Sequence, residues 1–304
     1  MKILTFDIEE WFHIMDNEST KTEKSWTKYQ DRLIANVERI LSFLQKTELK
    51  ATFFCLGWVA RKYPNVIKSI DSLGYEIGSH SNMHQLAYEQ KRNEFLNDLK
   101  KSICYIEDVI GKKLRMYRAP GFSIKEENLW AFESIIENGI EIDSSVFPSK
   151  RAHGGLKSFG VAEPVLININ GAMLKEFPIN MWKIIGKNVA FSGGGYFRLL
   201  PYPVVRYMIK ESDYVMTYFH PRDFDPQQPI IRDLPIIRKF KSYYGLKRAF
   251  EKLTKIAKEF EWIDLRRADE LVKWENSKVI QLDKFSNSKM PIVPLKEKNI
   301  KKIN

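Results

Sequence analysis

The sequence predicts an α/β fold, a barrel of roughly eight parallel strands with a β-hairpin insertion. Short β-type runs alternate with helical stretches along the chain. Several helical stretches close on a glycine (Gly74, Gly111, Gly139), and a short apolar run follows each. Polar residues come just after successive strands: Asp7 and Glu9, His80 and His84, Arg118, Asp143, and His220. In a barrel those positions converge on the C-terminal mouth, whereas an open sheet would spread them along an edge.

Each element has its own warrant. Lys2–Phe6 is a short apolar strand, and Ala51–Leu56 is a second. Between them, Arg32–Thr47 places Leu33, Ile34, Val37, Ile40, Leu41 and Leu44 at helical spacing. Pro64–Leu73 reads as a helix and Tyr75–Ile77 as a strand. Glu89–Ile110 is a long helix before the strand Leu114–Tyr117, and Lys125–Asn138 a helix before Ile140–Ile142. Two alternating runs within Pro164–Asn180 flank Asn170-Gly171, a strong two-residue hairpin signal. A helix at Leu200–Glu211, a strand at Tyr214–Phe219, a helix near Ser242–Glu261 and a strand at Trp262–Leu265 complete the pattern.

The 304 residues, 44% hydrophobic and 29% charged, have an ordinary globular composition, which excludes general disorder, collagen and disulfide scaffolds. No apolar run is long enough to span a bilayer. The start, with one cation and then acidic residues, does not read as a signal peptide. Cys55 and Cys104 show no partner pattern and read as buried apolar residues in a reducing compartment, so the expected location is cytoplasmic.

The net charge of +11 favours anionic partners. Part of it is local: Leu271 to Asn304 holds eight lysines against Glu275, Asp283 and Glu297. That stretch is read as a basic C-terminal tail, extended or partly ordered, after a main domain over 1–270. No zinc-finger, helix-turn-helix or aromatic RNA-binding pattern occurs, so no nucleic-acid partner is expected.

His80-Ser-Asn-Met-His84 is the strongest local chemical signal, because histidines four apart can point the same way on a turn and hold a metal. Along an extended chain Asp7 and Glu9 share a side while Ile8 faces away. Two carboxylates so placed can divide labour, one binding a cation and the other taking a proton. His13 and His153 match no motif and read as surface residues. Gly193–Gly195 is not a phosphate loop, since no Lys-Ser/Thr follows; it reads as a close approach near a ligand, with Tyr196 and Arg198 as contacts.

Taken in order, these pieces resemble the polysaccharide deacetylases of the NodB-homology type, carbohydrate esterase family 4. Thr5-Phe-Asp-Ile-Glu9, Ser79-His-Ser-Asn-Met-His84, Arg118-Ala-Pro-Gly-Phe122, Asp143-Ser-Ser145 and Phe219-His-Pro221 are similar to its successive motifs. The strings Gly193–Pro201 and Tyr218–Pro226 look like the subgroup found with bacterial exopolysaccharide and O-antigen loci. The resemblance covers about Met1 to Leu265. It implies a distorted (β/α) barrel of seven or eight strands and one divalent metal, with zinc first and other divalent ions as alternatives. Glu9, His80 and His84 would be the ligands. Glu9 departs from the aspartate usual there, which leaves Glu10 as an alternative ligand.

The resemblance further implies that Asp7 is the general base, that Arg118 orients it and holds it ionised, and that His220 delivers a proton to the leaving amine. Asp143 would pair with the catalytic histidine. Phe122 and Trp11 join Tyr196 and Arg198 as substrate-binding candidates. The implied activity is metal-dependent N-deacetylation of an acetamido sugar during bacterial surface-polysaccharide assembly. The sugar would be nucleotide-linked, lipid-linked or part of an oligosaccharide, with peripheral membrane contact an option. Two alternatives stand beside it: hydrolysis of another non-peptide C–N bond, as in ureides or cyclic amides, and a catalytically weakened carbohydrate-binding relative.

Overall fold

In the computed structural model, which describes residues 1–15, 17–151, 153–184, 187–282 and 292–293, the apolar runs pair into one nine-stranded sheet. The strands are β1 (Thr5–Ile8), β2 (Thr52–Cys55), β3 (Glu76–Ser79), β4 (Met116–Tyr117), β5 (Ile142–Asp143), β6 (Val165–Ile169), β7 (Ala172–Glu176), β8 (Val279–Gln281) and β9 (Ile292–Val293). The sheet order is β9-β8-β6-β7-β5-β4-β3-β2-β1. From β1 to β5, and on to β7, neighbours are parallel. At the other edge, Lys2–Ile3 pairs in parallel with Val215–Met216, and Phe6 bridges Phe219. Gly193 in turn bridges Tyr218.

The remaining gap is closed by a side chain. Asn180 Oδ1 accepts from Met216 N at 2.9 Å and from Ser192 Oγ at 3.1 Å, where a regular barrel would have a ladder. The result is a distorted (β/α) barrel. The alternation of side chains along each strand sorts the core into two layers. Phe6, Ile8, Phe53 and Cys55 face the outer helices in one buried cluster. Phe54, Met116, Ile142 and Met216 share a second cluster inside the barrel. Asp7 lies between Phe6 and Ile8 in β1 and therefore points inward.

Helix Leu33–Thr47 forms where its spacing predicts, burying Leu33, Val37, Ile40, Leu41 and Leu44 while Ile34 stays exposed. The hairpin turns at Asn170-Gly171 with φ of 52° and 88°, the left-handed pair that a two-residue turn matching strand twist requires. Its second arm joins the sheet by pairing in parallel with β5, so the hairpin contributes to the wall.

Several expectations shift. Helix Arg92–Ile110 begins after a 3₁₀ turn at Ala87–Glu89. The Lys125–Asn138 helix is split into a 3₁₀ turn, Glu126–Asn128, and Trp130–Glu137. The last strand shrinks to one bridge at Ile263, because Asp264 caps a new helix, Leu265–Leu271. Cys104 is exposed on its helix, not buried; Cys55 is buried as expected. Val279–Gln281 pairs with β6, while 283–291 and 294–304, most of the expected tail, lie outside the described residues.

Gly193 is fixed by space. A Cβ there would lie 2.4 Å from Tyr218 O, inside the bridge that carries the chain toward His220. Overpacking of this kind costs about 1–3 kcal/mol. Gly193→Ala should therefore lower the midpoint of thermal unfolding by circular dichroism, and an unchanged midpoint would contradict the packing described.

Candidate active site

The inward face of β1 sets the centre. Asp7 is buried, and its Oδ1 accepts from Arg118 Nη1 at 2.8 Å. Arg118 follows β4 and is fully buried, so each guanidinium nitrogen needs a partner. Nη1 also reaches Thr5 Oγ1 at 2.7 Å, Nη2 donates to Ser144 Oγ at 3.0 Å, and Nε to Ser144 O at 3.3 Å. The group sits 4.2 Å from the Phe54 ring. Asp7 Oδ2 is left facing the mouth.

Glu9 and Glu10 part ways. Glu9 turns inward, with Oε2 against His84 Nε2. Glu10 accepts from the backbone N–H groups of Arg32 and Leu33, both at 3.0 Å, and so caps helix Leu33–Thr47. Burial raises the Glu10 carboxyl to about 7 against these hydrogen bonds. For Glu9, burial also pushes upward, but His84, His220 and His13 outweigh it and hold the carboxyl far below its ordinary range. Glu9 is thus the carboxylate available to a metal. Glu10→Ala should cost about 1 kcal/mol through the lost cap; a lower unfolding midpoint with metal content unchanged is the expected result.

His80 and His84 come from the loop after β3. It is a tight turn, not a helix: Ser81 and His84 have φ of 70° and 54°, and His84 N donates to Ser81 Oγ at 3.1 Å. His80 Nδ1 lies 2.8 Å from Arg118 O. A carbonyl only accepts, so Nδ1 carries the proton and Nε2 keeps its lone pair. Burial lowers the His80 pKa to about 4, keeping the ring neutral as a ligand must be. One ligand atom from each of Glu9, His80 and His84 falls within 4.8 Å of the others. An acceptor set of one carboxylate and two imidazoles, with Glu9 Oε2 buried and directed at His84 Nε2, fits a divalent ion.

His220 stands across the mouth, its Nε2 3.8 Å from Asp7 Oδ2 and 3.9 Å from Glu9 Oε1. Its Nδ1 meets Asp223 Oδ2 at 3.1 Å. Burial opposes the imidazolium, but the Asp223 hydrogen bond and the charges of Glu9, Asp223 and Asp7 prevail and raise its pKa to about 9. Asp223 is anchored by Arg198 Nε at 3.0 Å, and these neighbours bring its carboxyl to about 2 despite burial.

The expected pairing of Asp143 with His220 does not occur. Asp143 is fully buried and hydrogen-bonded to Ser145 Oγ at 2.6 Å and to Glu176. Burial and the facing Asp143 charge push Glu176 well above the usual carboxylate range, so the pair shares a proton. Ser145 Oγ accepts from Ala119 N at 2.8 Å, and Ser144 Oγ holds Arg118. Asp143 thus supports the loop that aims Arg118.

Three substrate-binding expectations also change. Arg198 is buried, its remaining nitrogens bonded to the carbonyls of Lys241, Ser242 and Tyr244. Trp11 is buried with Nε1 on Gln30 O, and Phe122 is packed against Tyr218 and Phe147. Neither ring is open to a sugar. Tyr196, 46% exposed beside the mouth, remains available. His13, expected at the surface, is buried with its ring centroid 5.7 Å from that of His84. A groove lined by His13, Met83, His84, Gln85 and Asn97 leads away from the cluster.

The sequence profile of the polysaccharide deacetylase family matches residues 18–135, which hold His80, His84 and Arg118. A domain of unknown function, DUF3473, matches residues 144–270, which hold Arg198, His220 and Asp223. A peptidoglycan-N-acetylglucosamine deacetylase of Bacillus cereus is 29% identical over 103 residues, 34% of this chain and 38% of the relative. A second of that description from the same organism is 29% identical over 127 residues, 41% of this chain and 46% of the relative. The chain thus spans less than half the length of these curated relatives. The crystal structure of a candidate polysaccharide deacetylase from Mycobacterium smegmatis superimposes with a TM-score of 0.59 at 18% identity, covering 89% of each chain. Residues 18–135 thus match the polysaccharide deacetylase family, and the barrel and the order of the motifs agree with that match.

Proposed function

We propose that the protein is a metal-dependent N-deacetylase that hydrolyses the acetamido group of a sugar during bacterial surface-polysaccharide assembly, in the cytoplasm. One observation carries the reading. Asp7 and His220 converge on the Glu9–His80–His84 cluster, with His220 Nε2 within 3.9 Å of both Asp7 and Glu9. A divalent ion held by those three residues, zinc in this reading, would supply Lewis acidity and an acidified water.

The chain's own residues do the rest. Asp7 Oδ2 removes a proton from the attacking water, while Arg118 holds Oδ1 and fixes the plane of the carboxylate. His220, charged at neutral pH, donates from Nε2 to the departing amine nitrogen, so that acetate and a free sugar amine leave. Asp223 holds Nδ1 and keeps the imidazolium aimed. The groove beside His84, with Gln85 and Asn97, offers amide groups to sugar hydroxyls. The likeness to two peptidoglycan-N-acetylglucosamine deacetylases supports an acetamido sugar as substrate class.

The test is acetate release by zinc-loaded protein from a panel of acetamido-sugar nucleotides, lipid-linked acetamido saccharides and acetylated oligosaccharides. At least one should yield equimolar acetate and free amine. A ring-opened acid from a cyclic amide, with no acetate from any sugar, would overturn the reading.

A further inference from the structure

Between Pro226 and Phe250 the chain carries Arg232, Arg238, Lys239, Lys241, Lys247 and Arg248 against one carboxylate, Asp233. Within that stretch, helix Ile236–Tyr243 buries none of its residues. Ile236, Ile237 and Phe240 are 84%, 70% and 52% exposed, and Ile230 is 62% exposed. At 3.6 residues per turn, Ile236, Ile237 and Phe240 share a sector roughly 100° wide, with Lys239 and Lys241 on its two borders. A helix this short is not stable by propensity alone. An uncovered apolar stripe edged by the exposed Lys241 on one side and by Lys239, whose Nζ rests on Arg232 O at 2.6 Å, on the other is the pattern of a segment that lies in the headgroup plane of a membrane.

Charge selects the occupant. Anionic headgroups attract this set of cations, whereas a second copy of the chain would bring the same cations face to face. The helix also adjoins the mouth. Arg198 grips the carbonyls of Lys241, Ser242 and Tyr244 while its Nε holds Asp223, the partner of His220. Arg238 Nη2 donates to Met15 O at 2.7 Å, in the loop that follows Glu9. A membrane against this helix therefore lies beside the groove.

We infer that the Ile230–Tyr244 segment docks the protein on an anionic membrane surface and presents the mouth to an acetamido saccharide carried on a lipid. The substrate half rests on the deacetylase reading; the docking half does not. No helix among the described residues is long and apolar enough to cross a membrane, so the contact is peripheral.

Flotation of the purified full chain with vesicles tests it. Vesicles of equal parts phosphatidylglycerol and phosphatidylcholine should carry the protein, phosphatidylcholine alone should not, and high salt should release it. The double replacement Ile237→Glu/Phe240→Glu, on exposed positions, should lower the partition by about tenfold or more. It should leave acetate release from a soluble acetylated oligosaccharide unchanged and reduce release from a lipid-linked one in the same vesicles. Equal binding to both vesicle types, or full binding by the double variant, would overturn the docking. So would a dimer that the same replacements dissociate, with no vesicle binding. Vesicle binding without acetate release from any substrate would overturn the substrate half alone.

Discussion

Asp7→Asn should lower turnover by about 10²–10⁴-fold while the protein keeps its metal. The amide preserves the shape of the carboxylate and can still accept from Arg118, but it cannot take a proton. Asp7 is not among the clustered ligands; it reaches the site through Oδ2 only. The variant should also be less stable, since the fully buried Arg118 loses its counter-charge, a loss worth about 3–5 kcal/mol where one partner of a buried pair is removed. Activity should therefore be assayed well below the lowered unfolding midpoint. Glu9→Gln should show the converse pattern, with metal lost. If Asp7→Asn shed metal and Glu9→Gln retained it, the two roles would be exchanged.

His220→Ala should keep metal, lose most amidase activity, and lose less on an activated acetate ester, whose leaving group departs without protonation. The pH profile gives the sign. The imidazolium is the active form, so activity is present below the His220 pKa and falls as pH rises through about 9. Asp223 is a main cause of that elevation, so Asp223→Asn should pull the alkaline limb down toward the ordinary histidine value of about 6.5. A tenfold or greater loss near pH 8 follows from that displacement, at roughly one decade per pH unit once the group is mostly neutral. An alkaline limb unmoved by Asp223→Asn would remove Asp223 from this role, and equal losses on amide and ester would remove His220 as the proton donor.

Much of the site could be read from local sequence because it depends on strand periodicity. Asp7 and Glu9 share an inward face because extended residues alternate, and both end within 3.9 Å of His220 Nε2. His80, Arg118 and His220 follow strands that the apolar runs mark. What could not be read depends on turns and tertiary partners. Asp223 sits three residues after His220 in a 3₁₀ turn, Pro221–Phe224, a spacing that brings the two together. Asp143 was assigned that part by motif order, but a buried carboxyl meeting Glu176 has no charge to spare for a distant histidine.

Glu10 could have been separated from Glu9 by parity, since it falls on the opposite side, yet its capping target lies more than twenty residues on. His13 carried one usable signal, its four-residue spacing from Glu9. Arg198 looked like a surface contact because helix Ile236–Tyr243, whose carbonyls it binds, leaves no strong mark in the sequence before Ser242.

The most direct test of this arrangement is elemental analysis of the purified protein beside the His80→Ala/His84→Ala and Glu10→Gln variants. Near-stoichiometric divalent metal is expected in the wild type and in Glu10→Gln, and none in the double histidine variant. Full metal retention without His80 and His84, or its loss with Glu10→Gln alone, would contradict it.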